Sequence, residues 1–273
     1  MRRWVSIVTM LAAAMVSFAC NGTTPALDVS GGLPLTIPPV AGTIDSATPN
    51  FDLLESANLS LVESQTRRAA VKVIRPFESG HGSGTYMKMH GRLVVITAAH
   101  VVDGYTTMII EGRNDERVIG SVAYADQQAD LAVIITPRLQ TRTPIPYRAK
   151  LTDTNLIGSR INYTGFPGRH DLLTIRGYVA SLEREMIVTN MFGWFGSSGS
   201  GVFDQHGRFL GVVSGIDIGN WMIPLPLESL VWVAPAWEFD SEIVKVRVIT
   251  APPLEVFKSF PGARAPRRGG VRD

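Results

Sequence analysis

The strongest constraint on the fold is the punctuation of the chain between Ala69 and Pro224. Short apolar or alternating runs recur there, broken by Gly, Pro, Asn and Asp, at 70–74, 84–89, 93–97, 106–110, 118–124 and 131–135. After the break Pro144-Ile145-Pro146 a second set follows, at 160–164, 172–182, 186–191, 201–204, 209–216 and 221–224. Strand-length runs at this spacing, with turn residues between them, argue for an antiparallel barrel or sandwich. Two similar sets fit two packed barrels of about equal size, although a period of two says nothing about whether a sheet closes. With 273 residues, 45% of them hydrophobic, the chain can bury a sizeable core in one two-lobed domain or two small ones. Two helices flank the strands in this reading. One is a short surface helix within Phe51 to Arg68, from the spacing of Leu53, Leu54, Leu59 and Leu61. The other lies in Pro226 to Trp237, ended by Pro235.

Both ends of the chain read differently from its middle. Met1-Arg2-Arg3 followed by the apolar run Trp4 to Phe18, with small residues at Ser17 and Ala19, has the layout of an export signal. Cys20, the only cysteine, stands where a bacterial lipoprotein carries its lipidated residue, although Ser17 is not the usual aliphatic residue three places before it. Lipidation at Cys20, ordinary cleavage and an uncleaved anchor all remain open. A single cysteine permits no intramolecular disulfide, so the core alone must hold the fold. Residues 21–50, rich in Gly, Pro, Thr and Ser, read as a flexible tether. The end from Phe260 to Asp273, with Arg264, Arg267, Arg268 and Arg272, reads as a disordered, solvated basic tail. The formal net charge of +2 gives no global reason to expect nucleic acid as a partner.

Three short segments carry chemistry. Gly193-Trp194-Phe195-Gly196-Ser197-Ser198-Gly199-Ser200-Gly201 is dense enough in small residues to turn sharply and bring its N–H groups against a bound group. Upstream, Val94 to Thr97 runs through two alanines into His100, and Asp130 precedes the apolar run Leu131 to Ile135. Each alone is an ordinary loop residue or turn. Together they supply a weakly nucleophilic hydroxyl, a base for its proton and a carboxylate to fix that base's tautomer.

The runs Thr97-Ala98-Ala99-His100-Val101-Val102-Asp103-Gly104, Asp126-Gln127-Gln128-Ala129-Asp130-Leu131-Ala132-Val133 and Gly196 to Gly201 resemble, in order and separation, those of chymotrypsin-fold (trypsin-like) serine peptidases. The likeness is nearest to the HtrA/Deg-type bacterial branch and covers about Arg68 to Leu230. It implies an all-β fold of two six-stranded antiparallel β-barrels, about 66–143 and 144–237, with the active site in the cleft between them. By the same resemblance the catalytic residues are His100, Asp130 and Ser198, and the oxyanion hole is formed by the N–H groups of Gly196 and Ser198. Ser214, Gly215 and Ile216 would pair with substrate backbone, and Phe192 would lie near the floor of the primary specificity pocket. No acid stands at that floor, so an uncharged, small or aliphatic residue is expected there. The sequence departs from the family pattern at Ser197, Ser200 and Gly201, where Asp or Asn, Gly and Pro are usual. Too few residues follow Trp237 for the C-terminal PDZ domain of many HtrA-type enzymes, so control through such a domain is not expected.

The expectation is an exported serine endopeptidase of the periplasm or cell envelope, anchored as a lipoprotein or secreted, acting on polypeptides through an acyl-enzyme. No cofactor or metal is called for: His81, His90, His170 and His206 read as loop residues, the first two flanking a turn at Gly82-Ser83-Gly84. The rival is a binding module on the same fold that has lost turnover.

Overall fold

The computed structural model describes residues 58–251, except 79, 150–154, 221–223 and 240. The export signal, Cys20, the tether and the basic tail lie outside the described residues. No helix among the described residues is long and apolar enough to cross a membrane.

The first barrel comprises β1 (Ala70–Ile74), β2 (His81–Met89), β3 (Arg92–Thr97), β4 (Thr107–Glu111), β5 (Arg117–Asp126) and β6 (Leu131–Ile135). Its ring runs β1-β4-β5-β6-β3-β2 and closes by the antiparallel pairing of β2 with β1, in the register Ala70↔Thr85 to Ile74↔His81. A two-residue strand, β7 (Ile145–Pro146), lies parallel to β2. The second barrel comprises β8 (Arg160–Gly165), β9 (Leu173–Glu183), β10 (Met186–Thr189), β11 (Gly201–Asp204), β12 (Phe209–Asn220) and β13 (Pro224–Pro235), closed in the order β10-β13-β12-β11-β8-β9. Closure leaves neither sheet an unpaired long edge. The fold is thus two six-stranded antiparallel barrels: the first set of runs supplies all six strands of one, and the second set supplies β8 to β12 of the other.

Each barrel is filled by the inward-facing half of its strands. Val73, Tyr86, Val95, Met108, Ile110 and Ile134 are fully buried in the first, and Ile161, Tyr163, Val179, Val202, Leu210 and Val233 in the second. A buried side chain of this size contributes roughly 1.5–3 kcal/mol relative to exposure. β6 is buried along its whole length, an uninterrupted apolar run rather than an alternating one. Its outer side is covered because a C-terminal helix (Ser241–Thr250) packs on β5 and β6 and buries Val244 and Val248 in the same cluster.

Two local expectations need correction. The segment expected to hold a helix within Pro226 to Trp237 is strand β13, and only Ala236–Glu238 forms a single 3-10 turn. The alternation of buried Val231 and Val233 with half-buried Leu230 and Trp232 sets a period of two, and Pro224 and Pro226 sit at the end of the strand where it pairs with Ile218 to Asn220. The N-terminal helix is α1 (Leu61–Ala69), with Ser60 as N-cap: the Ser60 hydroxyl accepts from Glu63 N–H at 3.2 Å, and Ser60 N–H donates to Glu63 Oε2 at 2.7 Å. Its buried face is Glu63, Thr66 and Ala69, while Leu61 is 72% exposed, so the leucine spacing did not mark the packed side.

That polar face docks on the second barrel just before the chain enters the first. Thr66 Oγ1 lies 3.0 Å from Thr164 Oγ1, and Arg176 Nη2 donates to Glu63 Oε2 at 2.9 Å. The Arg176 hydrogen bond is the main cause that holds the Glu63 carboxyl down at about 2, against the opposing effect of its burial. A carboxyl lowered by folding stabilises fully above its unfolded value of about 4.5, and the contribution is lost as pH falls towards about 2. Glu63→Gln is expected to lower the melting temperature by about 5 °C at pH 7. Calorimetry between pH 7 and pH 2.5 should show that gap closing as the medium is acidified.

Candidate active site

His100 sits on a one-turn helix, Ala99–Val102, that follows β3. Two carbonyls of this turn are held from outside: Arg75 Nη2 donates to His100 O at 2.6 Å and Arg75 Nε to Val101 O at 3.1 Å. Asp130 ends the β5–β6 turn in the left-handed region at φ +53°, a conformation that Asp tolerates better than most residues. The turn is set by Asp126 Oδ1, which accepts from the N–H groups of Gln128 at 2.8 Å and Ala129 at 3.0 Å.

This geometry aims the Asp130 carboxylate at His100 from two directions. His100 N–H donates to Oδ1 at 3.0 Å, and the ring nitrogen Nδ1 lies 3.0 Å from both carboxylate oxygens. Ser214 Oγ donates to Oδ2 at 2.5 Å. Ser214 can do so because it is the extra residue of a bulge: the β12–β13 register jumps between Val213 and Gly215, which frees its side chain from the alternation. The arrangement leaves Nε2 as the free ring nitrogen of a side chain that is 36% exposed, beside a carboxylate that is 16% exposed.

The serine segment hangs between the barrels. Ser197 N–H donates to Trp194 O at 2.9 Å, closing a four-residue turn with Gly196 third at φ +93°, the position at which a type II turn needs a positive φ. A side chain at Gly196 would also meet Phe166 O at 2.6 Å. Ser197 Oγ donates to Trp194 O at 2.6 Å, so this serine braces the turn where the family pattern has Asp or Asn. Neither Gly196 N–H nor Ser198 N–H has an acceptor among the described residues. Ser197 and Ser200 are 2% and 0% exposed, whereas Ser198 is half-buried and therefore the accessible serine of the three.

Ser83 fastens this turn to the first barrel. Its N–H donates to Ser198 O at 2.7 Å, its hydroxyl donates to Gly196 O at 2.7 Å and accepts from Phe166 N–H at 2.9 Å, and its carbonyl accepts from Thr97 Oγ1 at 2.7 Å. The segment read as a turn, Gly82-Ser83-Gly84, is thus part of β2. Gly82 is small because a side chain there would meet Val101 at 2.7 Å, not because the chain turns. His81 is not a plain loop residue either: its Nε2 lies 2.9 Å from Phe166 O, and a side chain on Gly196 would meet it at 2.9 Å. The roles of Ser83 and His81 had no local signal, since both depend on Phe166, more than 80 residues away.

The expected substrate-binding residues surround the same cleft. On the β11 side the β12 ladder stops at Val212, so Ser214 to Ile216 present an edge that no strand among the described residues occupies. Phe192 is exposed, and its carbonyl accepts from Tyr163 OH at 2.7 Å. Burial raises the Tyr163 phenol well above its usual range. Phe195 stands in solvent with Trp194 edge-on at 5.4 Å, which excludes core packing as its role.

With this geometry in view, the comparisons with known proteins are specific. Residues 82–212, from β2 into β12, match the model of the trypsin-like peptidase domain family. That segment is similar to a trypsin-like peptidase domain. No curated protein matches the sequence. Among solved structures it is similar to the serine endoprotease from Yersinia pestis, at 18% identity and a TM-score of 0.54 over 69% of this chain and 66% of that one. It is also similar to Rv3671c from M. tuberculosis H37Rv, a mutant in an inactive form, at 20% identity and 0.54 over 71% of this chain and 93% of that one. The HtrA-type protease AlgW with tripeptide gives 19% and 0.56 over 68% of this chain and 62% of that one. This chain thus spans just under two thirds of the Yersinia and AlgW chains, and at these identities the likeness is one of fold.

Gly199 tests the docking of the turn. At φ +87°, its missing side chain would lie 2.1 Å from Thr97 Oγ1 and 2.2 Å from Ser83 O, whereas a methyl group at Gly215 meets nothing within 4 Å. Gly199→Ala is expected to cost about 3 kcal/mol or more in urea unfolding, and Gly215→Ala less than about 1 kcal/mol.

Proposed function

We propose that the protein is an exported serine endopeptidase in which Ser198 attacks the scissile carbonyl, with His100 as general base and Asp130 as its orienting partner. His100 Nε2 takes the hydroxyl proton as the Ser198 oxygen bonds to carbon, and returns it to the leaving amine as the acyl-enzyme forms. Water then repeats the sequence, losing a proton to His100 and releasing the acid from Ser198. The observation that carries this reading is the fixed His100–Asp130–Ser214 chain near a turn whose accessible serine is Ser198: a Cβ on Gly82 would lie within 3.1 Å of both the Val101 side chain and Ser198 O, although no hydrogen bond joins His100 to Ser198 among the described residues. The unpaired N–H groups of Gly196 and Ser198 are the donors available to the oxyanion, where each is worth several kcal/mol because the charge appears only in the transition state. Substrate would add as a strand along Ser214 to Ile216.

Export rests on Met1 to Ala19, and membrane association on lipidation at Cys20. The preference for an uncharged, small or aliphatic residue before the scissile bond has support in the apolar groups around Gly193. A methyl group on Gly193 would meet Val231 Cγ2 at 2.7 Å and Ile216 Cγ2 at 2.9 Å, so that side of Gly193 is walled by apolar groups. Phe192 and Phe195 offer apolar contact at the mouth.

A peptide library with purified protein tests these assignments together. Substrates with Ala, Val or Ser before the cleaved bond are expected to show kcat/KM at least tenfold above those with Lys or Phe. Asp130→Asn is expected to fold normally and to lose about ten-thousand-fold in kcat. Equal cleavage after Lys and Ala would overturn the pocket assignment, and full activity in Asp130→Asn the triad.

A further inference from the structure

A second concave site lies away from the serine, on the outside of the junction between the barrels. It is a cleft of about 430 Å³ reached by Arg67 of α1, Lys72 of β1, Arg113 of the β4–β5 turn, Arg142 of the link between barrels and Phe166 of the β8–β9 loop. These residues are spread over 100 positions, and four of the five are cationic.

Arg142 is the anomaly in it. The residue is only 6% exposed and, among the described residues, has no carboxylate within ion-pair distance and makes one side-chain hydrogen bond, from Nη1 to Arg67 O at 3.1 Å. Its Nε is buried without a partner among the described residues. Burial, with Arg113 and Arg67 nearby, pulls its pKa down to about 10. The Arg142 guanidinium carbon and the Lys72 ammonium both lie against the Phe166 ring, 5.9 and 5.2 Å from its centre.

The neighbouring acids do not neutralise Arg142. Glu111 is engaged by Arg117 Nη2 at 2.7 Å and Lys72 Nζ at 3.5 Å. Glu116, which offsets part of the positive field on Arg142, places its oxygens on the N–H of Gln140 at 2.6 Å, the N–H of Thr141 at 2.9 Å and the Thr141 hydroxyl at 2.5 Å. Asp115 and Asp171 are exposed residues of the cleft lining. Burying an unpaired guanidinium is costly by several kcal/mol unless an anion meets it. A guanidinium at the base of a cleft, with an ammonium against the same aromatic ring, fits the oxygens of a carboxylate or phosphate group.

We infer that this cleft is a binding site for a small oxyanion with carboxylate or phosphate chemistry, held by Arg142 and Lys72. The occupant would also bear on the oxyanion turn, a consequence that rests on the peptidase reading. Phe166 N–H donates to Ser83 Oγ, Phe166 O meets His81, and Gly168 N–H donates to Phe195 O at 2.7 Å, so the loop that forms one wall also braces Trp194 to Ser197.

The test separates binding from turnover. Inorganic phosphate and acetate are titrated into the full chain against sodium chloride at equal ionic strength, with thermal melting and 31P line width as readouts, alongside Arg142→Met and Lys72→Gln. At about ten times the dissociation constant, one of the two anions is expected to raise the melting temperature by about 3 °C. Arg142→Met is expected to melt no lower than the wild type without anion and to lose the response, and Lys72→Gln to weaken binding several-fold. A wild type that responds no more than to chloride, or an Arg142→Met that responds equally, would overturn the site. Hydrolysis of a peptide substrate is followed in the same titration, and binding that leaves its rate unchanged would overturn the link to the turn. Because melting and line width need no catalysis, failure of the peptidase reading would leave the binding result intact.

Discussion

Ser83 is the point on which both barrels and the candidate site converge. A fully buried serine with hydrogen bonds from its N–H, hydroxyl and carbonyl joins Ser198, Gly196, Phe166 and Thr97 at 2.7–2.9 Å. Nothing apolar could substitute for it, because the carbonyl of Gly196 and the N–H of Phe166 would then be buried without partners. Rigidity follows from this satisfaction: a turn whose carbonyls are all held presents its remaining N–H groups in one direction. That is the condition under which donors stabilise charge without first reorganising.

The same logic governs the other half of the cleft. Asp130 holds a left-handed backbone conformation, and its carboxylate is surrounded by His100 N–H, His100 Nδ1 and Ser214 Oγ. Local strain of this kind persists only where neighbours over-determine it. Here the bulge that releases Ser214 from the β12 ladder belongs to the second barrel, while His100 and Asp130 belong to the first, so the orientation of the imidazole depends on the two barrels being docked. α1 contributes to that docking through Glu63, Thr66 and Arg67, the last donating from Nη1 to Thr174 Oγ1 at 3.0 Å. Residues far from the serine thus bear on it through packing, without touching it.

How much of this was legible in the sequence depended on the range of the interaction. The strands of the first barrel could be read because alternation and turn residues are local, and the runs at 70–74 and 131–135 coincide with β1 and β6. The motif residues His100, Asp130 and Ser198 stood out through family resemblance in three separate segments. β13 was misread because prolines at its ends suggested a helix boundary, whereas pairing with β12 and β10 sets its conformation. The C-terminal helix Ser241–Thr250 was missed: it has Ile243, Val244, Val246, Val248 and Ile249 spread around its circumference, so it shows no apolar stripe, and Ile243, Val246 and Ile249 are exposed. The roles of Ser83, His81 and Arg142 had no sequence signature at all, since each is defined by partners that only the closed barrels bring near.

The central claim is that Ser198, and not Ser200 two residues on, is the nucleophile. The most direct measurement is intact mass followed by peptide mapping after reaction with a fluorophosphonate. The account predicts one adduct per chain, located on Ser198, and none in Ser198→Ala, with Ser200→Ala still labelled. An adduct on Ser200 or on another side chain, or no adduct on a correctly folded wild type, would contradict it.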